Sequence, residues 1–280
     1  MQTDKWYCYN HTAFSLTDPH EEPDTAPIAD GSIFQSGKGA PLLARWTTDF
    51  DCGRETNWWY VIKDTPFDIN ALKAKRRYEI NKGNRNFDVR EIDPSEWAEG
   101  LYAVAVAAYA SYPEAYRPSV SHDRFVSDVG RWDFQRVYGA FSAEDGTLCG
   151  YACLGKGRSA GNCVHFTVMK TVPSCERLGI NAAIVCKILE DHAELLGAGG
   201  YICDGERSVN HETAFQDYLE KYFAFRKAYC RLHVVYRPCV KLLVRMAYPF
   251  RRVLKKMGTA KLIGKLNALL RMEEIRNMGV

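Results

Sequence analysis

No apolar run in this chain approaches the roughly 18 residues that a helix needs to span a bilayer. The opening residues, MQTDKWYCYN, lack the charged-then-apolar form of a secretory signal. No segment repeats. The ten cysteines include no CxxC pair and no tight Cys/His cluster, which argues against a zinc site. Most of them, Cys149, Cys153, Cys186 and Cys203 among them, lie inside apolar runs. That placement fits small buried hydrophobes in a reducing compartment. The expectation is a cytoplasmic protein, peripheral at most to the inner face of the membrane, with no metal. One stretch also lacks acid: between Lys221 and Met272 there are fourteen Lys or Arg and no Asp or Glu, although the whole chain carries a net charge of only +3. The rest must hold an acidic excess, and such segregation points to a surface partner for the basic end.

With 46% hydrophobic and 25% charged residues, the composition is that of a soluble globular protein. The length allows one large domain or two small ones. Residues 1–54 are polar and turn-rich at their start and read as an irregular extension, with Trp6, Tyr7 and Tyr9 to pin it to the body. A strand is expected at Asn57–Asp64 and a helix at Asp68–Gly83, with Gly83 as its stop. The basic residues of that helix, Lys73 to Lys82, suit a solvated face or a phosphate site. A short strand (Phe87–Ile92) and helices over Ser95–Ala110 and His122–Trp132 follow. Then the pattern turns to strands: Val137–Phe141, Leu148–Leu154 and Cys163–Met169 read as an antiparallel meander, its first turn marked by Asp145-Gly146.

The stretch Cys163–Arg207 organises the rest. Its apolar strand breaks at Pro173, a helix runs to the glycines at 197, 199 and 200, and a short strand (Tyr201–Cys203) delivers Asp204, Glu206 and Arg207. Strand, glycine-bearing turn and helix together present backbone N–H groups to an anionic cofactor. Acids at the end of the next strand lie where α/β sheets usually place their chemistry. The same layout also suits a unit that binds nothing. A helix from about Glu212 to Tyr222, capped by Asn210, and a long strand (Phe225–Tyr236) close a domain at 55–238. Its class is α/β (α+β), a mixed sheet with helices on its faces. Residues 239–280 form a basic helical tail in which Phe250, Val253, Leu254 and Met257 share a face, continued by Leu262, Ile263, Leu266 and Leu270. Through residues 240–272 this tail suits an anionic membrane surface or an acidic partner. It equally suits a helix folded back over the core.

The meander followed by a helix resembles the GNAT superfamily of acyl-CoA N-acyltransferases, and more closely the branch related to Fem-type peptidoglycan aminoacyltransferases. The likeness covers roughly residues 70–238. It is carried by the basic helix LKAKRRYEINKG with the strand FDVREI, and by YLEKYFAFRKAYCRLHVVYRP, similar to a last helix and strand that often read "EKxGF". The resemblance implies a mostly antiparallel central sheet. It also implies acyl-CoA, acetyl-CoA or longer, as co-substrate. The superfamily's pyrophosphate loop, Gln/Arg-x-x-Gly-x-Gly/Ala, falls on Glu176-Arg177-Leu178-Gly179-Ile180-Asn181, which keeps one glycine. Arg177, Gly179, Ile180 and Asn181 are the residues left to hold phosphates. Ala224 stands where "EKxGF" has glycine, which leaves Tyr218 and Tyr222 as alternative general acids.

Acyl transfer to an amine needs a base, donors for the thioester oxygen, a leaving thiol and close positioning. By the resemblance, Val168, Met169, Lys170 and Thr171 supply the donors from a splayed strand, and no covalent enzyme intermediate forms. Glu206 is the first candidate base, then Asp204, with His211 and His165 behind. For the two acids a turn or a capping role is the alternative. His165 lies mid-strand, where a core histidine or a substrate contact both fit. Arg207 suits a substrate carboxylate or a neighbouring acid. The leading expectation is an N-acyltransferase acting on a small molecule or amino sugar, with a link to cell-surface polysaccharide or peptidoglycan synthesis taken from the family branch. A donor of aminoacyl-tRNA is disfavoured, since no coiled-coil arm is visible. The remaining alternative is a non-catalytic membrane- or partner-binding module.

Overall fold

The structure, a computed structural model, describes residues 2–3, 5–35, 40–112, 114, 117–157, 162–209, 214–256 and 261–278. In chain order the strands are β1 (Gln2–Thr3), β2 (Trp6–Tyr9), β3 (Thr12–Ser15), β4 (Leu43–Thr48), β5 (Trp58–Lys63), β6 (Phe87–Glu91), β7 (Arg136–Ser142), β8 (Leu148–Lys156), β9 (Cys163–Thr171), β10 (Tyr201–Glu206) and β11 (Arg226–Tyr236). The helices are α1 (Ala26–Ala29), α2 (Ala74–Asn86), α3 (Ala98–Ala110), α4 (His122–Val129), α5 (Pro173–Glu176), α6 (Ile180–Asp191), α7 (Ala193–Gly197), α8 (Ala214–Phe223), α9 (Pro238–Ala247), α10 (Arg251–Leu254) and α11 (Lys261–Met278). The chain divides into two compact units. Unit 1 holds Met1–Ile62, Glu206–Lys221 and Phe225–Val280, and unit 2 holds Lys63–Gly205 and Tyr222–Ala224.

In unit 2 the strands run in the order β10-β9-β8-β7-β6. The expected meander is there: β7 pairs antiparallel with β8, and β8 with β9. The middle strands are buried almost without alternation, the signature of a sheet covered on both faces. Val137, Phe141, Tyr151 and Cys153 pack against Leu101, Val104 and Ala105 of α3. Their strand neighbours point the other way, where Tyr138 hydrogen-bonds Asp191 of α6 at 3.1 Å.

Helix α2 begins later than the sequence suggests. Asp68 caps a separate 3₁₀ turn, accepting from the Asn70 N–H at 2.8 Å. The helix then runs through Gly83 to Asn86. Gly83 is therefore a contact residue rather than a stop: a Cβ there would lie 2.4 Å from the Gly179 carbonyl oxygen.

In unit 1 the order is β1-β2-β3-β4-β11-β5. Strand β11 is shared, pairing antiparallel with β5 through Arg226–Cys230 and with β4 through Arg231–Tyr236. Its alternation is clear: Ala228, Cys230, Leu232, Val234 and Tyr236 are all buried. The last four of these meet Val240 and Val244 of α9 and Leu270, Met272 and Ile275 of α11 in one core.

Two expectations are corrected here. Residues 1–54 are not irregular: they supply β1–β4, with Trp6, Ala13 and Ala44 buried together. These strands are mostly four residues or shorter, too brief for alternation to register. Nor are 55–238 and 239–280 separate bodies, because β11 and the tail helices share one core. Of the two roles open to the tail, α11 takes the folded-back one. Met257 lies outside the described residues, as does the side chain of Leu262.

Candidate functional site

The chemistry-bearing region of unit 2 lies where β9 leaves β10. Their parallel ladder pairs Tyr201 with Cys163, Ile202 with Val164 and Cys203 with His165. Beyond that, β9 continues to Thr171 and β10 to Glu206 with no further pairing between them among the described residues. Two local features sit at the parting. The β8–β9 register shifts between Cys153–Val168 and Leu154–Phe166, so Thr167 is the extra residue of a bulge, and bulges twist and bend a strand. On β10, Gly205 has φ +96°, a left-handed conformation that suits glycine. Beyond the bulge, alternate residues of Val168–Thr171 direct main-chain N–H and C=O groups away from β8. Those groups form a released strand edge.

The loop after β9 is built tightly. Gly179, at φ +91°, starts α6. Its N–H is taken by Glu176 and its carbonyl by the Ala183 N–H. The N–H groups of Ile180, Asn181 and Ala182 fall in the first turn, where a helix has no partners for them and favours an anion. Helix α2 clamps the loop from behind. Lys82 Nζ donates to the Arg177 carbonyl at 2.6 Å, and Asn86 Nδ2 donates to the Leu178 carbonyl at 3.0 Å. The basic face of α2 is thus spent partly on structure: Arg76 also lies 3.5 Å above the Tyr222 ring. Arg177 and Glu176 are both exposed.

Among the residues expected to hold a donor, Thr171 Oγ1 donates to Asn181 Oδ1 at 3.1 Å, tying the end of β9 to α6. Ile180 is buried and fills the sheet face beside Gly150. Lys170 reaches Tyr112 Oη at 3.0 Å and lies over the Tyr109 ring. Val168 packs on the α3 core, and Met169 is half-buried. Unit 2 thus presents a strand edge released from its neighbour and, after it, a helix start. The side chains of Asn181 and Lys170 are used within the fold.

The candidate bases are dispersed. Asp204 directly follows the last paired residue of β10 and is half-buried. His165 pairs with Cys203 in the ladder, its Nε2 3.6 Å from Cys163 Sγ. His211 and the expected cap Asn210 lie outside the described residues. Tyr218 stacks on Phe215, centroids 6.1 Å apart.

Glu206 belongs to unit 1, and both its oxygens are engaged. One pairs with Arg45 and the other accepts from Trp58 Nε1 at 3.0 Å. Arg45 in turn lies between the Phe14 and Trp58 rings, 4.8 and 5.1 Å from their centroids. Burial pushes the Glu206 carboxyl above the usual glutamate value, against the pull of Arg45 and the Trp58 hydrogen bond. Arg207 donates to the Asn57 carbonyl at 2.5 Å and covers the Trp59 ring. Burial and the charge of Arg271 lower its pKa. Unit 1 also contains a cleft of about 890 Å³ whose walls include Trp46, Trp58, Arg231 and His233. Trp46 and His233 stack there, 4.9 Å apart.

Sequence reasoning missed Arg45, Phe14 and the Gly83–Gly179 contact. The first two lie in a segment with no readable period, and the last joins residues far apart in the chain. The thiols, by contrast, match their apolar settings. Burial raises Cys149 to about 11 and Cys153 and Cys186 to about 12. All three stay protonated near neutral pH.

No protein-family model matches the chain, and no curated protein matches its sequence. Solved structures do. The C-terminal domain of an Agrobacterium fabrum protein described as a lysylphosphatidylglycerol synthetase matches at TM-score 0.51 and 14% identity, over 86% of this chain and 82% of that one. FemX matches at TM-score 0.50 and 8% identity, over 78% of this chain and 77% of its own. With the meander, the parting strands and the helix that follows them, this likeness shows the fold: the chain has a GNAT-like fold of the kind seen in FemX.

Proposed function

We propose that this chain is an N-acyltransferase that moves an acyl group from acyl-CoA, or a related activated donor, to an amine by direct attack. The carrying observation is the parting of β9 from β10 after the His165–Cys203 pair. The acyl-bearing arm lies along the released edge of β9, whose N–H groups meet the carbonyl oxygen as charge develops on it. The start of α6 holds the phosphates, with Arg177 beside it. Asp204, next after the last paired residue of β10, takes the amine proton as the new carbon–nitrogen bond forms, and the carbon–sulfur bond breaks to release the donor as its thiol. Glu206, with both oxygens committed, acts as a positioning residue for Arg45 and Trp58 rather than as the base. The acceptor class is the amine of a small molecule or amino sugar.

A donor of the aminoacyl type is the second reading. It is favoured by FemX, a Fem-type peptidoglycan aminoacyltransferase, which also supports an acceptor linked to the cell surface. Thermal melts with acetyl-CoA, longer acyl-CoAs and charged tRNA separate the two. A ligand at about a hundred times its Kd stabilises the folded state by roughly 2.7 kcal/mol, a readily seen shift. Transfer to amine acceptors with that same donor, cut about a hundredfold or more in Asp204→Asn, completes the test. No shift with any of these donors overturns the proposal. Full turnover in Asp204→Asn overturns the base.

A further inference from the structure

Helix α9 and the turns after it carry three distinct faces. Val240 and Val244 are buried, and Ala247, Tyr248 and Leu254 pack against the same core. On the outside, Leu242, Leu243, Met246, Phe250 and Val253 are between 50% and 66% exposed. Their steps of three and four residues keep helical side chains on one side. The backbone stays close to helical along that stripe: Tyr248 and Arg251, at the joints between α9, a 3₁₀ turn and α10, keep right-handed helical angles, and Phe250 departs from them at φ −93°, ψ 6°. Lys241, Arg245, Arg252, Lys255 and Lys256 are exposed beside it.

No residue from 238 to 256 is Asp, Glu, Asn, Gln, Ser or Thr. The acids of the neighbouring α11 are already engaged, Glu273 with Arg276 and Glu274 with Arg271 and Arg251. The patch therefore offers large apolar side chains and positive charge, and very little polar side-chain chemistry of other kinds. Nucleic acid would use the charge and leave the apolar stripe wet. A folded protein partner would ordinarily be met by some neutral hydrogen-bonding groups as well. An anionic bilayer uses both components at once, with apolar side chains entering the headgroup boundary and lysines and arginines pairing with lipid phosphates. No described helix is long and apolar enough to cross a membrane, so the contact is peripheral.

We infer that the α9–α10 face of unit 1 docks on the surface of an anionic lipid bilayer. The inference stands apart from acyl transfer, because vesicle binding is read without turnover. The experiment is co-flotation of the full chain with vesicles of phosphatidylcholine alone, or of equal parts phosphatidylcholine and phosphatidylglycerol. Binding is expected to the anionic vesicles, to weaken with salt, and to be weak or absent on neutral ones. Two variants divide the components: Leu242→Ser/Met246→Ser/Phe250→Ser removes the stripe, and Arg245→Glu/Arg252→Glu/Lys255→Glu reverses the charge. Each is expected to lose roughly tenfold or more in vesicle affinity. Both should melt like the parent, since these side chains are exposed. Absence of binding by the parent, equal binding to neutral vesicles, or undiminished binding by either variant overturns the inference. So does retention on immobilised tRNA without vesicle binding.

Discussion

Gly83 and Gly179 meet backbone to backbone. A Cβ on Gly83 would lie 2.4 Å from the Gly179 oxygen, and one on Gly179 would lie 2.9 Å from the Gly83 Cα and N. The glycine kept in the loop is thus required by the crossing of α2 and α6 as well as by its left-handed φ. Gly83→Ala is expected to cost about 1–3 kcal/mol through overpacking. Gly179→Ala adds a backbone term of roughly 1–2 kcal/mol for a side chain in that region. Urea denaturation should rank them in that order, and a silent Gly83→Ala would refute the contact.

Ala224 has φ +54° directly after α8, where the resemblance expects glycine. A side chain there is strained by roughly 1–2 kcal/mol, partly offset by alanine's smaller loss of chain entropy. Ala224→Gly should therefore raise stability slightly, by about 0.5–1 kcal/mol, read as a higher melting temperature. A lower one would count against the strain.

Arg45 and Glu206 form a largely buried ion pair, with side chains 12% and 25% exposed. Removing one partner of such a pair commonly costs about 3–5 kcal/mol; the partial exposure places this one toward the lower end. Arg45→Met should destabilise strongly, and Arg45→Met with Glu206→Leu should recover much of the loss. Simple additivity of the two single changes would show that they are uncoupled.

His192 is buried, and its Nδ1 lies 2.7 Å from the Ile188 carbonyl. Burial lowers its pKa below 6.5, against that hydrogen bond. A depressed folded pKa contributes stability that is present above 6.5 and lost as pH falls through the folded value. His233, also lowered chiefly by burial, adds in the same direction. These two groups lower the urea midpoint between about pH 7.5 and about pH 5. His122 and Glu206, whose pKa values are raised, act the other way, so the comparison with a His192 variant is what isolates the effect. His192→Gln should show a smaller fall, and an unchanged slope would remove His192 from the account.

The fold of unit 2 was largely readable from local signals. Asp145-Gly146 marks the hairpin between β7 and β8, Pro173 ends the strand that becomes β9, and apolar periodicity sets α3 and α6. Such features act within a few residues, so the sequence by itself determined the meander, the helix after it and the low reactivity of buried thiols.

Only the tertiary structure decided the rest. Strand β4 has its partner in β11, at the far end of the chain, and Arg45 acquires its meaning from Glu206. Whether Gly83 stops a helix or admits a neighbour depends on where Gly179 lies. The basic tail is split between core and surface: Leu270 and Ile275 turn inward while Leu242 and Met246 stay exposed. Burial and ion pairing depend on which distant segments meet, and no local pattern in the chain encodes those meetings.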